Sequence, residues 1–370
     1  MGKWNKVTLG SICSFKYGQM PKKSELVDTG YPVFSGYRIV GYSKIYHYKE
    51  PEIIVVARGE GGTGDIKMSP PNCFLTNLSI VVLIESEEVD KSFLFYRLAS
   101  TKLWSLRTGS AQAQITIDRL KDYEIELPTL FIQRHIANVA TSFDVLIENN
   151  KSRIKILEEI ARLLYREWFV YFRYPGHGSV PLVNSSLGSI PKGWSVKKMK
   201  DIADVGWGDT NVTKSSYVNE GFDAYSATGR DGFRDTYDYD KSGIVLSAIG
   251  ANCGKTWLAM GKWSCIKNTI RIFGTDEVPT EFLYYLTGNL EFWSRRGSAQ
   301  PFISQTDIRN KELIVPDKNT LTKFTLIVSN ILKQAHLLNK KNEYLREMRD
   351  LLLPRLISGQ ITLDEKAPVA

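Results

Sequence analysis

The amino-acid sequence predicts a mixed α/β (α+β) chain: two tandem β-rich domains and two long helices that pair as an antiparallel coiled coil, with pseudo-twofold symmetry. Three observations support this fold class. They are an internal repeat, short β-type runs separated by glycine-containing turns, and two long apolar patterns of helical period. The chain has 370 residues, which is enough for two domains of ordinary size.

The internal repeat is first visible in the string GSAQ. It occurs at 109–112 and again at 297–300, 188 residues later. Neighbouring residues recur in the same order with an offset that drifts only between 188 and 191, as in Trp4 with Trp194 and Gly64 with Gly254. A drift of this size is what short loop insertions produce, so the chain is predicted to be a tandem duplication of one unit.

Each repeat begins with strands. Runs rich in β-branched residues stand at 53–57 and 78–83, and again at 244–248 and 269–273. A short helix is predicted next, at about 91–104 and 279–293. The GSAQ turn follows, and then a last strand that ends at Pro128 or Pro316.

Each repeat ends in a long helix. From Thr129 to about Phe172, and again over 317–359, apolar residues recur at alternating steps of three and four, as in a coiled-coil seam. Each helix would be about 60 Å long at 1.5 Å per residue. If the two equivalent units pack symmetrically, a pseudo-twofold axis crosses the helix pair and the helices run antiparallel. The predicted boundaries are 1–128 for the first domain, 129–172 for the first spacer helix, 173–193 for a linker, 194–316 for the second domain, 317–359 for the second spacer helix and 360–370 for a tail.

Two asparagines interrupt these apolar seams. Asn150 and Asn342 lie near the helix centres. Two interpretations are open: a buried polar pair that fixes the register of the helices, or two side chains that face solvent.

Composition favours a polyanionic partner. The formal net charge is +8 and the pI is about 9.1, and clustered lysine and arginine side chains gain free energy by releasing counterions from phosphates. The sequence has no apolar run long enough to span a bilayer and no signal-peptide pattern at MGKWNKVTLG, so we expect a cytoplasmic protein without membrane contact. The four cysteines have no metal-binding spacing, and we expect free, mostly buried thiols.

Two strings resemble catalytic motifs but depart from them. Residues 250–256, GANCGKT, are one residue short of a phosphate-binding P-loop, and the first repeat has Asp65 where the lysine should be. Glu52, Asp65 and Lys67 have the spacing of a metal-dependent nuclease, but the second repeat lacks this set. We therefore expect no catalytic residues and no metal site in this chain.

Binding residues are a better interpretation. Both repeats combine basic, aromatic and amide side chains on glycine-containing segments, and arginine suits guanine edges and phosphates alike. The candidate DNA-binding residues are Tyr37, Arg38, Arg58, Lys67, Arg107 and Gln112 in the first repeat, and Arg230, Arg234, Lys255, Arg295, Arg296 and Gln300 in the second.

The order of these segments resembles a known family. The first helix ends LLYREWFV at 163–170, LGSIPKGW follows at 187–194, and the second helix ends RDLLLPRLISG at 349–359. This arrangement is similar to the specificity subunit of type I restriction–modification enzymes. The first helix opens FIQRHI at 131–136, close to the family pattern, whereas the second repeat departs from it with LTKF at 321–324.

The resemblance implies two target-recognition domains that each read one half of a bipartite duplex DNA site. It also implies that the helices bind two methyltransferase subunits, through which restriction (translocase) subunits join. S-adenosylmethionine and ATP with Mg²⁺ would then be used in those partner subunits, and this chain would need no cofactor. Two alternatives stay open: a coiled-coil scaffold without sequence-specific DNA binding, and an enzyme that uses one of the two imperfect motifs.

Overall fold

The computed structural model describes residues 4–59, 62–101, 103–109, 113–297 and 299–361. The chain divides into two compact units. Unit 1 comprises 1–149 and 342–370, and unit 2 comprises 150–341. Each unit therefore contains one β-rich domain, part of the first long helix and part of the second.

The first domain consists of short strands and three short helices, and the first long helix follows it. In chain order the elements are β1 Asn5–Thr8, α1 Leu9–Ile12, β2 Cys13–Tyr17, β3 Leu26–Val27, β4 Tyr31–Phe34, β5 Ile39–Ser43, β6 Ile53–Val56, β7 Ile66–Met68, β8 Phe74–Leu75, β9 Ser79–Ile84, α2 Lys91–Thr101, α3 Ile117–Lys121, β10 Glu124–Leu127 and α4 Leu130–Tyr165.

The second domain repeats this order after a connecting hairpin. Its elements are β11 Leu182–Ser185, β12 Gly188–Pro191, β13 Ser195–Lys198, α5 Met199–Ile202, β14 Ala203–Trp207, β15 Phe222–Ser226, β16 Gly229–Arg234, β17 Tyr239–Asp240, β18 Gly243–Ser247, β19 Thr256–Ala259, β20 Lys262–Cys265, β21 Thr269–Gly274, α6 Thr280–Thr287, α7 Gln305–Asn310, β22 Glu312–Val315 and α8 Lys318–Ile357. The duplication predicted from the sequence is thus visible element by element.

Both domains have the same sheet topology. A central four-stranded antiparallel sheet has the order β2-β9-β6-β7 in unit 1 and β14-β21-β18-β19 in unit 2. A second sheet has the order β3-β5-β4-β8 in unit 1 and β16-β15-β20-β17 in unit 2. The difference at its edges is small, because unit 2 keeps the equivalent of β3–β5 as a Val218–Phe233 bridge, and unit 1 keeps the equivalent of β17–β20 as a Tyr48–Cys73 bridge.

The inner strand β6 of the central sheet is buried on both faces because it carries apolar residues at every position. On β6, Ile53 and Val55 pack into a core with the helices, while Ile54 faces Cys73 and Leu75 of the second sheet. Such continuous apolar runs mark strands covered on both sides. The layers are therefore helix, central sheet and second sheet in each unit.

Within each unit the two long helices run in opposite directions. In unit 1, Ile136 and Ala140 near the start of α4 share a core with Leu356 near the end of α8. In unit 2, Trp168 beyond the end of α4 packs on Phe324 near the start of α8, with ring centroids 6.0 Å apart. The antiparallel pairing expected from the sequence is confirmed in each unit, and the ends of the helices complete each domain's core.

Both long helices end in a left-handed residue beside the tryptophan that opens a domain. In unit 2, α4 passes into a π-helical turn, Arg166–Val170, and Phe172 has φ +57°. Its ring lies 5.3 Å from Trp194. In unit 1, Gly359 has φ +71°. A Cβ at this position would lie 3.5 Å from the indole of Trp4. The repeat therefore extends to the geometry of the helix ends.

The structure departs from the sequence expectation at the linker and decides between the two interpretations of the asparagines. The region 173–193, predicted as a plain linker, contains the β11–β12 hairpin. Asn150 and Asn342 are both buried, so the solvent-facing interpretation is wrong; in unit 1 the Asn342 amide donates to the Ile147 carbonyl at 3.5 Å. All four cysteines are free and buried, as expected. In the part of the chain that the structure describes, no helix is both long and apolar enough to cross a bilayer.

Candidate nucleic-acid interface

Three segments of unit 1 meet beside the central sheet. They are the β4–β5 turn, the glycine-rich loop between β6 and β7, and the residues on either side of the first GSAQ string, 107–109 and 113–115. The Ile115 amide donates to the Ala57 carbonyl at 2.8 Å, and the Thr63 hydroxyl lies 3.2 Å from the Ala113 carbonyl. The Tyr37 hydroxyl completes the contact by donating to the Arg58 carbonyl at 3.4 Å. We call these segments loop cluster 1.

Glycine is required in loop cluster 1 because Tyr37 covers it. A Cβ at Gly62 would stand 2.2 Å from the Tyr37 ring, and one at Gly59, whose φ is +137°, would stand 2.5 Å from the Tyr37 hydroxyl. Burial, and then the nearby Asp65 carboxylate, raise the pKa of Tyr37, although Arg107 acts in the opposite direction. The hydroxyl therefore stays protonated at neutral pH.

The basic side chains of loop cluster 1 are unevenly held. Arg107 is half-buried: its Nε donates to the Thr63 carbonyl at 2.7 Å, and its guanidinium lies 4.8 Å from the ring centroid of Trp104. Arg38 and Arg58 are exposed, and their side chains make no hydrogen bond or ion pair within the described residues. Among the described residues, the cluster thus presents one positioned guanidinium group and two that have no partner. Guanidinium groups bind phosphates and guanine edges.

The same arrangement recurs in unit 2, where we call it loop cluster 2. The Ile303 amide donates to the Ala248 carbonyl at 2.9 Å, as Ile115 does to Ala57, and the Gly250 amide donates to the Pro301 carbonyl at 2.9 Å. Arg295 is exposed and has no hydrogen bond or ion pair within the described residues. The glycine-rich loop and the GSAQ segment therefore lie side by side in both units.

In each unit the repeated GSAQ string starts with a glycine of positive φ and lies between the two residues of a β-bridge. Gly109 and Gly297 have φ of +91° and +80°, and β-bridges Thr108–Gln114 and Arg296–Phe302 flank the two loops. We expected the GSAQ turn to lead directly into the last strand of each domain. This expectation is wrong, because α3 and α7 lie between them. Gln112 lies outside the described residues, whereas Gln300 is described and exposed.

Other predicted contacts are occupied within the protein. Arg230 lies 2.9 Å from the buried Asp223 carboxylate. Arg234 pairs with Asp238 at 3.1 Å, and Arg296 pairs with Asp307 at 2.7 Å. In this structure the guanidinium groups of Arg230, Arg234 and Arg296 therefore lie against the domain's own carboxylates.

The two predicted lysines have weaker internal partners. Lys67 lies 3.9 Å from Asp65, and Lys255 donates to the Asn252 side chain at 2.8 Å. Both lysines are exposed. They remain candidate contacts at the edges of the two loop clusters.

The P-loop-like string 250–256 lies in the wrong structural setting. A P-loop joins a strand to a helix whose N-terminus faces the phosphates. Here the string connects the antiparallel strands β18 and β19. Its amides are also used internally, because Cys253 donates to Gly250 and Gly254 donates to Ser247, each at 2.9 Å. The loop has the wrong geometry for a nucleotide.

The nuclease-like set is not assembled either. Glu52 and Asp65 lie at opposite ends of the β6–β7 strand pair. The Ser69 amide donates to the Glu52 carbonyl at one end, and the Val56 amide donates to the Asp65 carbonyl at the other. Four residues of strand separate these ends, about 13 Å. The Glu52 carboxylate instead pairs with Lys91 at 2.6 Å. No three His, Cys, Asp or Glu side chains among the described residues are grouped to hold a metal ion.

The sequence interpretation missed two aromatic residues of these surfaces. Trp104 is exposed and lies under Arg107; its position three residues before Arg107, on a short helical turn, was the available signal. In unit 2, Trp257 lies against the β15–β16 turn, where a Cβ at Gly229 would stand 2.9 Å from its indole. Unit 1 makes the reciprocal contact, with the aromatic ring of Tyr37 on the turn and the glycine in the loop.

Comparisons with known proteins agree with the duplication of the domain. The model of the protein family described as "Type I restriction modification DNA specificity domain" matches residues 1–159 and again residues 191–347. The chain belongs to this family. Its two matches begin 190 residues apart, as the repeat predicts. DNA-sequence recognition in a type I restriction–modification system is accordingly its function.

Relatives of the specificity family cover most of the chain. The MjaIX specificity subunit of Methanocaldococcus jannaschii is 26% identical over 344 residues, which cover 85% of this chain and 78% of the relative. The HindI specificity subunit of Haemophilus influenzae is 23% identical over 328 residues, 67% of this chain and 71% of that one. The crystal structure of an S subunit from M. genitalium shares the fold, with a TM-score of 0.71 and 21% identity over 96% of both chains.

Proposed function

We propose that this chain is the non-catalytic specificity subunit of a type I restriction–modification complex, in which each unit reads one half of a bipartite duplex DNA site. The observation that carries the proposal is the duplicated loop cluster, which presents exposed arginines in each unit, Arg38 and Arg58 in unit 1 and Arg295 in unit 2. Residues common to both units serve architecture or phosphate contact. Discrimination between two half-sites falls to positions where the units differ.

The DNA contact is tested by salt dependence. Neutralising phosphates releases counterions, so the affinity for duplex DNA falls steeply with salt, and removing one phosphate contact lowers the logarithmic slope by about one. We expect this result for Arg58→Ala and Arg295→Ala. Lys6→Ala, a matched exposed cation that pairs with Glu124 on the β1–β10 sheet, should leave the slope unchanged. A flat salt profile for the unaltered chain would favour a scaffold without DNA binding.

Modularity tests the bipartite reading. Replacing about 200–310 with the equivalent part of a relative should change one half of the methylated sequence and leave the other half unchanged. Sequencing of methylated bases in genomic DNA measures both halves at once. A change in both halves would contradict independent reading by the two units.

The long helices are proposed to carry two copies of one partner, the methyltransferase subunit, through which restriction subunits join. An exposed apolar stripe on α4, Ile156, Ile160 and Leu163, recurs on α8 as Tyr344, Met348 and Leu351. The offset is 188 at each position. Exposed apolar side chains at helical spacing mark a surface for another protein. Their repetition supports two equivalent binding surfaces.

Charge substitutions on these stripes test the stoichiometry. Ile160→Glu and Met348→Glu should each reduce the bound methyltransferase subunits from two to one, and the double variant should bind none, as read by native mass spectrometry. Lys155→Glu is the control, because Lys155 is exposed and lies about 100° around the helix from Ile156. Loss of both partners in one single variant would contradict two equivalent surfaces.

The methyl transfer, ATP hydrolysis and DNA cleavage are proposed to take place in other chains. S-adenosylmethionine, ATP and Mg²⁺ would be used by the partner subunits, and the purified chain alone should show no methyl transfer, ATP hydrolysis or DNA cleavage. Because its proposed substrate is duplex DNA, the complex would act in the cytoplasm.

A further inference from the structure

The β4–β5 hairpin of unit 1 and the β15–β16 hairpin of unit 2 are equivalent residue for residue. Phe34 pairs with Ile39 in one, and Tyr225 pairs with Arg230 in the other. Each hairpin has a register shift at the same place, between Val33 and Phe34 and between Ala224 and Tyr225. Differences in side-chain chemistry can therefore be read directly at an offset of 191.

In unit 2 the hairpin is polar, and its polar groups are satisfied by the domain itself. Arg230 pairs with Asp223, and the next residue, Asp231, accepts hydrogen bonds from Tyr217 at 3.0 Å and from Ser226 at 2.5 Å. Lys214 contacts the same carboxylate. Burial tends to raise the pKa of Asp231, but these hydrogen bonds outweigh it and hold the pKa below its usual value. This hairpin is stabilised by its own network.

In unit 1 the equivalent positions are Ile39 and Val40, and they are exposed to 47% and 51%. They belong to neither apolar cluster described for unit 1. They follow Tyr37 and Arg38 directly, and Tyr37 is bonded to the loop that carries Arg58. A small apolar surface is thus continuous with the guanidinium groups of loop cluster 1.

That combination limits what the surface can recognise on DNA. Arginines beside it suit phosphates and guanine edges, whereas Ile39 and Val40 have no hydrogen-bonding group in their side chains. The C5 methyl of thymine is the apolar group that base edges display in the major groove. We propose that Ile39 and Val40 contact thymine methyl groups in the half-site read by unit 1. This inference rests on the proposed function and adds a base preference to it.

The test removes only the methyl group. Duplexes are selected from a randomised library by the full chain in complex with its methyltransferase subunits, and each thymine is then replaced singly by deoxyuridine. At one or two positions of one half-site, the replacement should weaken binding about fourfold, since burying one methyl group contributes about 0.8 kcal/mol. Ile39→Ala combined with Val40→Ala should bind thymine and uracil duplexes equally.

The control variant is Val183→Ala, on the β11–β12 hairpin, where Val183 is 39% exposed. It should retain the full thymine preference. The inference is overturned if the unaltered complex does not distinguish thymine from uracil in either half-site, or if the double alanine variant still does. If the double alanine substitution lowers the affinity for the thymine and the uracil duplexes by the same factor, the thymine preference is intact and the inference is also overturned. If no sequence is selected at all, the proposed function itself fails.

Discussion

The two long helices begin at equivalent positions but are held there by different chemistry. At the start of α4, the side chain of Gln133 is fully buried. Its amide nitrogen donates to the Glu88 carbonyl at 2.8 Å and to the Pro128 carbonyl at 2.9 Å, and its oxygen accepts from the Asp90 amide at 2.9 Å. At the equivalent position of α8 stands Leu321, which is 2% exposed.

The reason for the exchange lies in the neighbouring segment. Asp90 in unit 1 has a backbone N–H that needs an acceptor, whereas the equivalent residue in unit 2 is Pro279, which has none. A buried amide is useful only where it satisfies other polar groups. The departure of LTKF from the family's helix opening therefore reflects a paired change and leaves the helix start intact. The two helix starts keep the same backbone geometry although the neighbouring polar groups receive their hydrogen bonds in a different way in each unit.

The same contrast continues along the helices. In unit 1, Asp144 of α4 accepts a hydrogen bond from Tyr96 at 2.6 Å and pairs with Arg349 of α8. In unit 2 the position equivalent to Tyr96 is Tyr285, which packs in an aromatic cluster, 6.3 Å from Phe324. In unit 1 the domain thus contacts the long helices through a polar network, whereas in unit 2 it contacts them through packed aromatic side chains.

The largest effect should come from the aromatic cluster of unit 2. Phe324 is fully buried, 4.8 Å from Phe169 and 6.3 Å from Tyr165 by ring centroid. Phe324→Ala should lower the free energy of unfolding of unit 2 by about 3–5 kcal/mol, because it removes a ring and leaves a cavity. Hydrogen exchange resolved by peptide measures this loss in each unit separately.

Leu326→Ala is the matched control, because Leu326 is 69% exposed on the same helix. It should change stability by less than about 0.5 kcal/mol. Equal loss of protection in unit 1 on Phe324→Ala would show that the two units unfold together, and the comparison between them would then lose its basis.

Much of this fold could be predicted from the sequence because duplication tests each assignment twice. The central strands and both long helices were found at nearly the observed bounds. The β11–β12 hairpin was missed because 182–191 is a single copy, rich in glycine, proline and serine, with no repeat to compare. The short helices α3 and α7 were missed because five or six residues carry too little periodicity.

The candidate site was harder to predict, because charge alone does not show which cation already has a partner. Arg230 and Arg58 are equally attractive in sequence. In the structure Arg230 is bound by Asp223, seven residues earlier on the neighbouring strand, and only the register of β15 with β16 brings them together. Contacts of this kind depend on strand pairing, which composition and spacing do not specify.

A smaller effect is expected from the polar anchor of unit 1. Gln133→Leu gives α4 the residue that α8 has, but it leaves the Asp90 N–H and two carbonyls without their partner. The cost should be about 1–3 kcal/mol in unit 1, the usual penalty for a buried group left unsatisfied. Gln334→Leu, at an exposed position of α8, controls for the change in helix propensity. Asp90→Pro also removes the acceptor of the Phe93 amide, so the paired exchange predicts that Gln133→Leu costs less in a chain that already carries Asp90→Pro. An equal cost in the two backgrounds would contradict it.

The smallest effect concerns the cap that α8 has at its own start. The Asp317 carboxylate accepts from the Thr320 amide at 3.0 Å and from the Thr320 hydroxyl at 2.6 Å, which satisfies one of the unpaired amides of the first turn. Burial acts to raise the pKa of Asp317, but the hydrogen bonds from Thr320 outweigh it and hold the pKa below its usual value. Asp317→Ala should therefore cost unit 2 about 1 kcal/mol at neutral pH.

The pH dependence identifies the charged cap. Because the folded state lowers the pKa of Asp317, its stabilisation is complete above the unfolded pKa of about 3.9 and is lost as the pH falls through the folded pKa. The difference in unfolding free energy between the unaltered chain and Asp317→Ala should thus be constant from about pH 7 to 5 and shrink below about pH 4. Asp235→Ala, at an exposed position, is the control. If the difference in unfolding free energy is unchanged at acid pH, the Asp317 side chain does not act through its charge. The starts of α4 and α8 would then not differ by a charged cap.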